Sequence, residues 1–314
     1  MESENKQREN AGSGFAGGEV KTAVVAIVGR PSAGKSTFLN TVTGQPVSIV
    51  SAVPQTTRNA IRGIVNREAG QLVFIDTPGV HDSTRKINLR MRSVVSSSLA
   101  DADCILYVID STKRQAEEER QICALLKPHL KKVVAAINKI DAKEENAAEA
   151  RIFLSEELPE IAAERVLEVS AKEGTGTEDV LDALFALAPS AEKLYPDEFY
   201  TDQEVDFRIA EVIREQAINR LEKEVPHCIY VKIVDLEQVT QSRMFARAFL
   251  CVEKDSQKGI LIGKGAQMIK TIRIESEKAL RKIFDYKIEL DLQVKVDKNW
   301  RKNNQRLDRI FNPR

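Results

Sequence analysis

Lys35 and Ser36 close the pattern Gly29-Arg30-Pro31-Ser32-Ala33-Gly34-Lys35-Ser36, which fits G-x-x-x-x-G-K-[ST]. Glycines in such a loop let backbone N–H groups approach phosphate oxygens closely. The lysine sets a positive charge at the β/γ oxygens, and the serine hydroxyl is placed to coordinate Mg²⁺. The pattern follows an apolar run, Ala23–Val28, and precedes the helix-compatible residues Thr37, Leu39 and Asn40. That strand–loop–helix context predicts a phosphate loop, with the helix N-terminus adding its dipole. Alone, the pattern suits ATP as well.

Three further motifs follow in a compatible order. Asp76-Thr77-Pro78-Gly79 ends an apolar run, so the Asp76 carboxylate can hold Mg²⁺ through water and the Gly79 N–H can meet the γ-phosphate. In Asn138-Lys139-Ile140-Asp141, the Asp141 carboxylate can accept from the N1–H and N2–H₂ of guanine. Adenine offers no such donor pair, so this residue would select GTP over ATP. Asn138 and the Lys139 stem would frame the base, and Ser170-Ala171-Lys172 would close over its other edge. Between the first two motifs lies PQTTRNAIRG, where a threonine can complete the Mg²⁺ shell. Thr57 is favoured over Thr56, against the plain alternative of an ordinary loop threonine. Ser36, Thr57 and Asp76 are thus the candidate metal residues, and Lys35, Thr57 and Gly79 the candidates for acting on the transferring phosphate.

Elements that would position these residues are readable from Lys21 to about residue 190. Short β-branched runs, Val24–Val28, Leu72–Ile75, Ile105–Ile109, Val133–Ile137 and Val166–Val169, alternate with helix-like stretches. Such continuous apolar runs predict strands buried on both faces of a mostly parallel sheet. Ala60–Val65 predicts an antiparallel edge strand leading to a hairpin turn at Ala69–Gly70. Nearly every motif falls at the C-terminal end of a run, the edge where open α/β sheets bind ligands. The predicted linker is 191–203. From 204 to 297 the order is helix (Glu204–Lys223), strand (Cys228–Val239), strand (Arg243–Glu253), glycine loop, helix to about Phe284 and a last strand over Ile288–Val296 with period-two alternation. This is a small α+β module whose glycine loop resembles that of a KH domain, which clamps about four nucleotides of backbone. The expected fold class is α/β, a phosphate-loop GTPase domain followed by a smaller α+β KH module.

The chain has 314 residues and zero formal net charge, unevenly placed. Residues 204–314 hold 23 Lys and Arg against 17 Asp and Glu, a balance of +6 that leaves −6 for the rest. A basic half suits a polyanion partner. Within the predicted tail, 298–314, Lys298, Arg301, Lys302, Arg306, Arg309 and Arg314 face only Asp308, with Trp300 among them. Basic residues around an aromatic suit single-stranded RNA, the ring stacking on a base; packing of Trp300 on the module is the equal alternative. Cys104, Cys123, Cys228 and Cys251 have no zinc spacing and read as reduced core thiols. No apolar run is long enough to span a membrane. Residues 1–20 are polar and read as a disordered arm without the apolar stretch of a secretion signal. A cytoplasmic monomer is expected.

GRPSAGKSTFLN, QTTR, DTPG, NKID and SAK, followed by EVIREQ at Glu211–Gln216 and QKGILIGKGAQMIK at Gln257–Lys270, closely resemble the Era family, bacterial GTPases with a C-terminal type II KH domain. The resemblance covers about Lys21 to Val296. It implies Mg²⁺-dependent GTP hydrolysis coupled to binding of the 3′ end of 16S rRNA in assembly of the small ribosomal subunit, and peripheral contact with the inner face of the cell membrane. The expected RNA residues are Gly263, Lys264, Gly265, Ala266 and Lys270 of the loop and helix, and Lys298, Trp300 and Arg301 of the tail. Three positions depart from common patterns. Ser32 stands where many members carry an asparagine associated with potassium-stimulated hydrolysis in related GTPases. Ala266 replaces a glycine, although alanine tolerates positive φ poorly. Val80 follows DTPG where Ras-like GTPases have a water-orienting glutamine, so intrinsic hydrolysis is expected to be slow. The competing readings are a tRNA-modification GTPase, an RNA-binding scaffold with a silent nucleotide site, and a membrane-signalling GTPase.

Overall fold

The computed structural model describes residues 19–51, 53, 56–79 and 86–311. Two sheets form. The first is built from β1 (Lys21–Val28), β2 (Ile61–Arg67), β3 (Gly70–Asp76), β4 (Cys104–Asp110), β5 (Val133–Asn138) and β6 (Val166–Val169), in the order β2-β3-β1-β4-β5-β6. Only β2 runs antiparallel, as its edge position foretold. The connecting helices are α1 (Lys35–Thr43), α2 (Lys86–Asp101), α3 (Glu117–Leu126), α4 (Ala147–Glu157) and α5 (Thr177–Leu187). One face packs Phe38, Leu39, Phe74, Leu106 and Leu184; the other packs Tyr107, Ile109, Ile122, Val133 and Leu154. Burial on both faces is why β3, β4 and β5 read as nearly continuous apolar runs.

The β2–β3 turn is Glu68–Ala69, and Gly70 already belongs to β3. Gly70 has φ 144°, and a Cβ there would lie 1.7 Å from the Lys21 carbonyl oxygen. Glycine is therefore required by close approach to β1 as well as by the bend.

Segment 191–203 is not a loose connection. It lies along the β2 edge, where Ile64 N donates to Tyr200 O at 2.9 Å and Asn66 Nδ2 to Asp197 O at 2.9 Å. Gln71, fully buried, accepts from Leu194 N and Tyr195 N through Oε1. The strap satisfies backbone groups that an exposed edge would leave open. The predicted N-terminal arm falls largely outside the described residues. Its last two, Glu19 and Val20, are placed: Ala191 N donates to Val20 O at 3.0 Å and Ser190 Oγ to Glu19 at 2.6 Å. Order there comes from pairing with the start of the strap.

The second sheet is β7 (Tyr230–Thr240), β8 (Arg243–Val252) and β9 (Lys287–Val296), with β7–β8 antiparallel and β8–β9 parallel. The helices α6 (Val205–Ile218), α7 (Asp255–Ile262) and α8 (Gln267–Leu280) are the module's own. Ile209, Ile213, Leu261 and Ile272 pack with Ala246, Leu250, Ile288 and Leu290 in one core. α6 and α8 stop short of the predicted Lys223 and Phe284, although Leu221, Ile283 and Phe284 beyond their ends still pack on the same core.

The tail is the largest revision. After β9 the chain makes a short 3₁₀ turn at Trp300–Lys302 and a last helix, α9 (Asn304–Phe311). Trp300 is fully buried, its Nε1 donates to Cys228 O at 3.0 Å, and its ring meets Tyr230 edge-on at 4.9 Å. Met91 of α2 and Leu307 of α9 complete this cluster between the domains. The ring is therefore unavailable to stack on a base. Arg301 is drawn into an ion pair with Glu253. All four cysteines are free and buried. Among the described residues no helix is long and apolar enough to cross a membrane.

Trp300→Ala should lower stability by about 3–5 kcal/mol, the usual cost of emptying a buried aromatic site. Urea unfolding followed by circular dichroism measures it. An unchanged midpoint with lost RNA affinity would return Trp300 to an RNA role.

Candidate functional site

The C-terminal ends of β1 and β3 lie side by side, with Ile27 in register with Asp76. The loop from Gly29 to Gly34 leaves β1 and turns into α1 through two left-handed positions, Ser32 at φ 62° and Gly34 at φ 100°. A Cβ at Gly34 would lie 2.1 Å from Asn138 Nδ2, so this glycine is needed for approach as well as for φ. Lys35 is buried and its Nζ donates to the carbonyls of Gly29 at 3.1 Å and Arg30 at 2.9 Å. Burial pushes its pKa down, while Asp76 and Glu119 push it up. The Arg30 side chain turns away toward α3 and pairs with Glu119 at 3.1 Å, leaving its backbone to the loop.

Asp76 is fully buried. Its Oδ2 accepts from Ser36 Oγ at 2.6 Å and Ser48 Oγ at 2.7 Å, and Thr57 Oγ1 lies at 3.5 Å. Ser36 and Thr57 hydroxyls are 3.0 Å apart. Desolvation raises the Asp76 pKa; Lys35 and the hydroxyls oppose it. Its second oxygen, Oδ1, is buried without a hydrogen-bond partner among the described residues. A hard divalent cation takes carboxylate and hydroxyl oxygens, so this set fits Mg²⁺. The residues predicted for the metal therefore converge, and Thr57 rather than Thr56 is the one beside them. Gly79 meets the loop directly, since a Cβ there would lie 2.6 Å from Pro31 N. The Thr77 hydroxyl, by contrast, donates to Ile27 O at 2.6 Å inside the sheet and is not directed at a nucleotide. Val80 lies outside the described residues.

A cavity of about 450 Å³ is lined by Pro31, Lys35, Ser36, Thr57, Gly79 and Lys139, with Ser32, Gly34 and Thr37 on its wall. At the base end, the Asp141 carboxylate is exposed and oriented by Ser170 Oγ at 2.6 Å, and that bond leads the forces holding its pKa down. Asn138 is bonded to protein groups on two sides. Its Nδ2 donates to Ala33 O at 2.8 Å and its Oδ1 accepts from Ala171 N at 2.9 Å, so it is a strut between the phosphate loop and the SAK segment. Lys172 turns to Glu173 at 2.8 Å in solvent. Lys139 pairs with Asp110 at 2.6 Å. Burial pushes the Asp110 carboxyl up, but Lys139 and Thr112 outweigh it and hold it below its ordinary value.

Sequence reasoning missed Asp110 and Ser48. Asp110 had a visible signal: it ends the Ile105–Ile109 run as Asp76 ends Leu72–Ile75. Ser48 had none, being one serine in a loop.

The second candidate site is the glycine loop of the C-terminal module. Gly263, Gly265 and Ala266 take φ 72°, 57° and 59°. Alanine thus holds the left-handed conformation itself, with φ 59° and ψ 23°. Lys264 and Lys270 are exposed, as is Lys298 after β9.

Comparison with known proteins agrees with both halves. Residues 24–139 match a family model described as 50S ribosome-binding GTPase, and residues 224–301 match a KH domain model. GTPase Era of Treponema denticola is 51% identical over 292 residues, covering 93% of this chain and 99% of the relative. The chain belongs to the Era GTPase family. GTPase Era of Treponema pallidum (strain Nichols) is 44% identical, over 94% of this chain and 98% of its own. A crystal structure of Era in complex with MgGDPNP and nucleotides 1506–1542 of 16S ribosomal RNA matches with TM-score 0.87 and 31% identity, covering 93% of this chain and 98% of that one. A point variant of Aquifex aeolicus Era bound to GDP·AlF4⁻ matches equally well, at TM-score 0.87 and 31% identity over 93% of this chain and 99% of its own. As an Era-family GTPase the chain hydrolyses GTP, and its second module is a KH domain.

Asp141→Asn should shift preference from guanine toward xanthine nucleotides, because an amide places a donor where guanine's donors point. Competition between GTP and XTP measures it. Unchanged GTP preference would show that Asp141 does not read the base.

Proposed function

We propose that this Era-family GTPase uses GTP hydrolysis to control a KH module that holds the 3′ region of 16S rRNA during assembly of the small ribosomal subunit. The observation that carries the reading is a phosphate loop and a Ser36–Thr57–Asp76 cluster in the same chain as a glycine loop with an exposed lysine. A relative crystallised with MgGDPNP and a 16S fragment supports the same assignment.

In this reading the loop amides and Lys35 hold the phosphates and meet the charge that develops as water attacks the γ-phosphorus. Phosphoryl transfer of this kind depends on positioning and charge stabilisation more than on covalent groups. Ser36 and Thr57 would hold Mg²⁺ directly and Asp76 through water. When bound there, Mg²⁺ neutralises charge on the β and γ oxygens. Gly79 N–H would sense the γ-phosphate, and Asp141 would read guanine, steadied by Ser170. The Asn138 strut keeps the base end and the phosphate end in one register, since a single side chain bonds both.

At the KH module, the Gly263–Ala266 loop, left-handed at Gly265 and Ala266, would bring its Lys264 and Gly265 backbone up to the RNA backbone. Lys270 and Lys298 add charge, while Arg301 and Trp300 act as supports for the fold. Nucleotide-dependent order at Thr57 and Gly79 would make the protein a switch.

Lys264→Asp should weaken binding of a short single-stranded 16S 3′ fragment by tenfold or more, on the order of 1–2 kcal/mol for one reversed phosphate contact, without changing GTP affinity. Filter binding at fixed salt checks it. Binding equal to the parent would place the RNA contact elsewhere.

A further inference from the structure

Residues on either side of Thr57 are bonded to the C-terminal domain at several points. Val50 N donates to Glu215 Oε1 at 2.9 Å, and Asn59 Nδ2 donates to Ile310 O of α9 at 2.9 Å. Between them, Arg214 Nη2 donates to Thr56 O at 2.6 Å. Arg58 Nη1 donates to Ile229 O at 2.7 Å, with its guanidinium over the Trp300 ring at 5.5 Å. Thr56 and Arg58 are the two neighbours of Thr57. The residue beside Ser36 and Asp76 is therefore held on both flanks by another domain.

Arg214 is built for this contact. Glu211, one turn earlier on α6, fixes it through Nε at 2.7 Å and Nη2 at 2.5 Å. The side chain is only 3% exposed, and its Nη1 is buried with no hydrogen-bond partner among the described residues. Arg58 has no carboxylate within ion-pair distance among the described residues, and burial, then Arg214, lowers its pKa to about 9. Two guanidiniums buried together, with Glu211 and Glu215 beside them, are a poor arrangement for stability alone, where apolar packing would serve as well. The arrangement makes sense as a constraint on backbone position. Thr56 and Thr57 both line the cavity that holds Lys35, Ser36 and Gly79.

We propose that Arg214, fixed by Glu211, is a positioning residue for GTP hydrolysis, so that the KH domain sets the place of Thr57 in the nucleotide site. This rests on the reading of Thr57 as a group that meets Mg²⁺ and the γ-phosphate. A guanidinium acting only as glue between domains would leave turnover at saturating GTP untouched. One that positions Thr57 must alter turnover and the Mg²⁺ requirement together, and must spare GDP binding, where no γ-phosphate calls on Thr57.

The test compares the full chain with R214M, R214K, E211Q and T57A. Steady-state hydrolysis separates kcat from KM, and titration of a fluorescent non-hydrolysable GTP analogue against MgCl₂ gives a readout free of turnover. For R214M we expect kcat to fall by roughly tenfold to a hundredfold, as for a small misplacement at a reacting centre. The Mg²⁺ midpoint should rise and GDP affinity stay at the parental value. R214K should recover part of both losses, since an ammonium can still donate to Thr56 O, and E211Q should fall between. Parental kcat and Mg²⁺ midpoint in R214M, with T57A impaired, would overturn the proposal and leave the Thr57 reading standing. A parental T57A would remove that reading, and the proposal with it. If R214M loses GDP binding through misfolding, R214K and E211Q decide by the same criteria.

Discussion

A fully buried carboxylate at the end of a central strand is the constraint around which the GTPase half is arranged. Asp76 cannot be left unsolvated without partners. The chain answers with hydroxyls from α1, the loop after α1 and the Thr57 segment, and with the Lys35 charge nearby. Those donors come from Ser36, Ser48 and Thr57, so one anion fixes the polar side of three pieces of sequence whose apolar neighbours Phe38, Val47 and Ile61 share one core. The sheet must then deliver Asp76 beside the phosphate loop, which the parallel pairing of β1 and β3 achieves through the Ile27–Asp76 register.

The two domains are joined by apolar and by polar contacts: Ile49 is buried in the core of the C-terminal module, and Phe207 of α6 packs against the core of the first. Trp300 and Met91 supply a further apolar cluster, and next to the nucleotide cavity Ile49 is accompanied by arginines bonded to backbone carbonyls. The arginine bonds are directional, so they fix position where apolar packing alone would tolerate sliding. The strap at 191–203 adds a second attachment along β2, which leaves the C-terminal module tied at the far edge of the sheet and at the Thr57 segment. The basic excess of the second half is partly consumed internally: Arg301, Arg214 and Arg247 each face a carboxylate. What remains for a polyanion is concentrated in exposed lysines such as Lys264, Lys270 and Lys298.

Most of the fold was legible because its signals are local. Strands buried on both faces write themselves as apolar runs, and Ile288–Val296 shows its one-sided burial as strict alternation. The phosphate loop, Asp76, Asp141 and Thr57 were legible as spacing. What escaped depends on contacts distant in sequence. Nothing near Trp300 tells whether its ring meets RNA or Cys228 O, because the partner lies 72 residues away. Asn138 sits in a motif associated with the base, yet its bonds run to Ala33 and Ala171. Arg58 and Arg214 lie in recognisable motifs, but their meeting across the domain boundary is a tertiary fact. Ala266 shows the converse: composition argued against a left-handed residue, and the surrounding turn imposes it.

The central claim is that the nucleotide site and the KH module act as one coupled assembly. The most direct measurement is the affinity of the full chain for a single-stranded 16S 3′ fragment at fixed salt, once with a non-hydrolysable GTP analogue and once with GDP. The account predicts affinities that differ by about fivefold or more, the lower range of coupling between linked sites. Identical affinities in the two nucleotide states would contradict it.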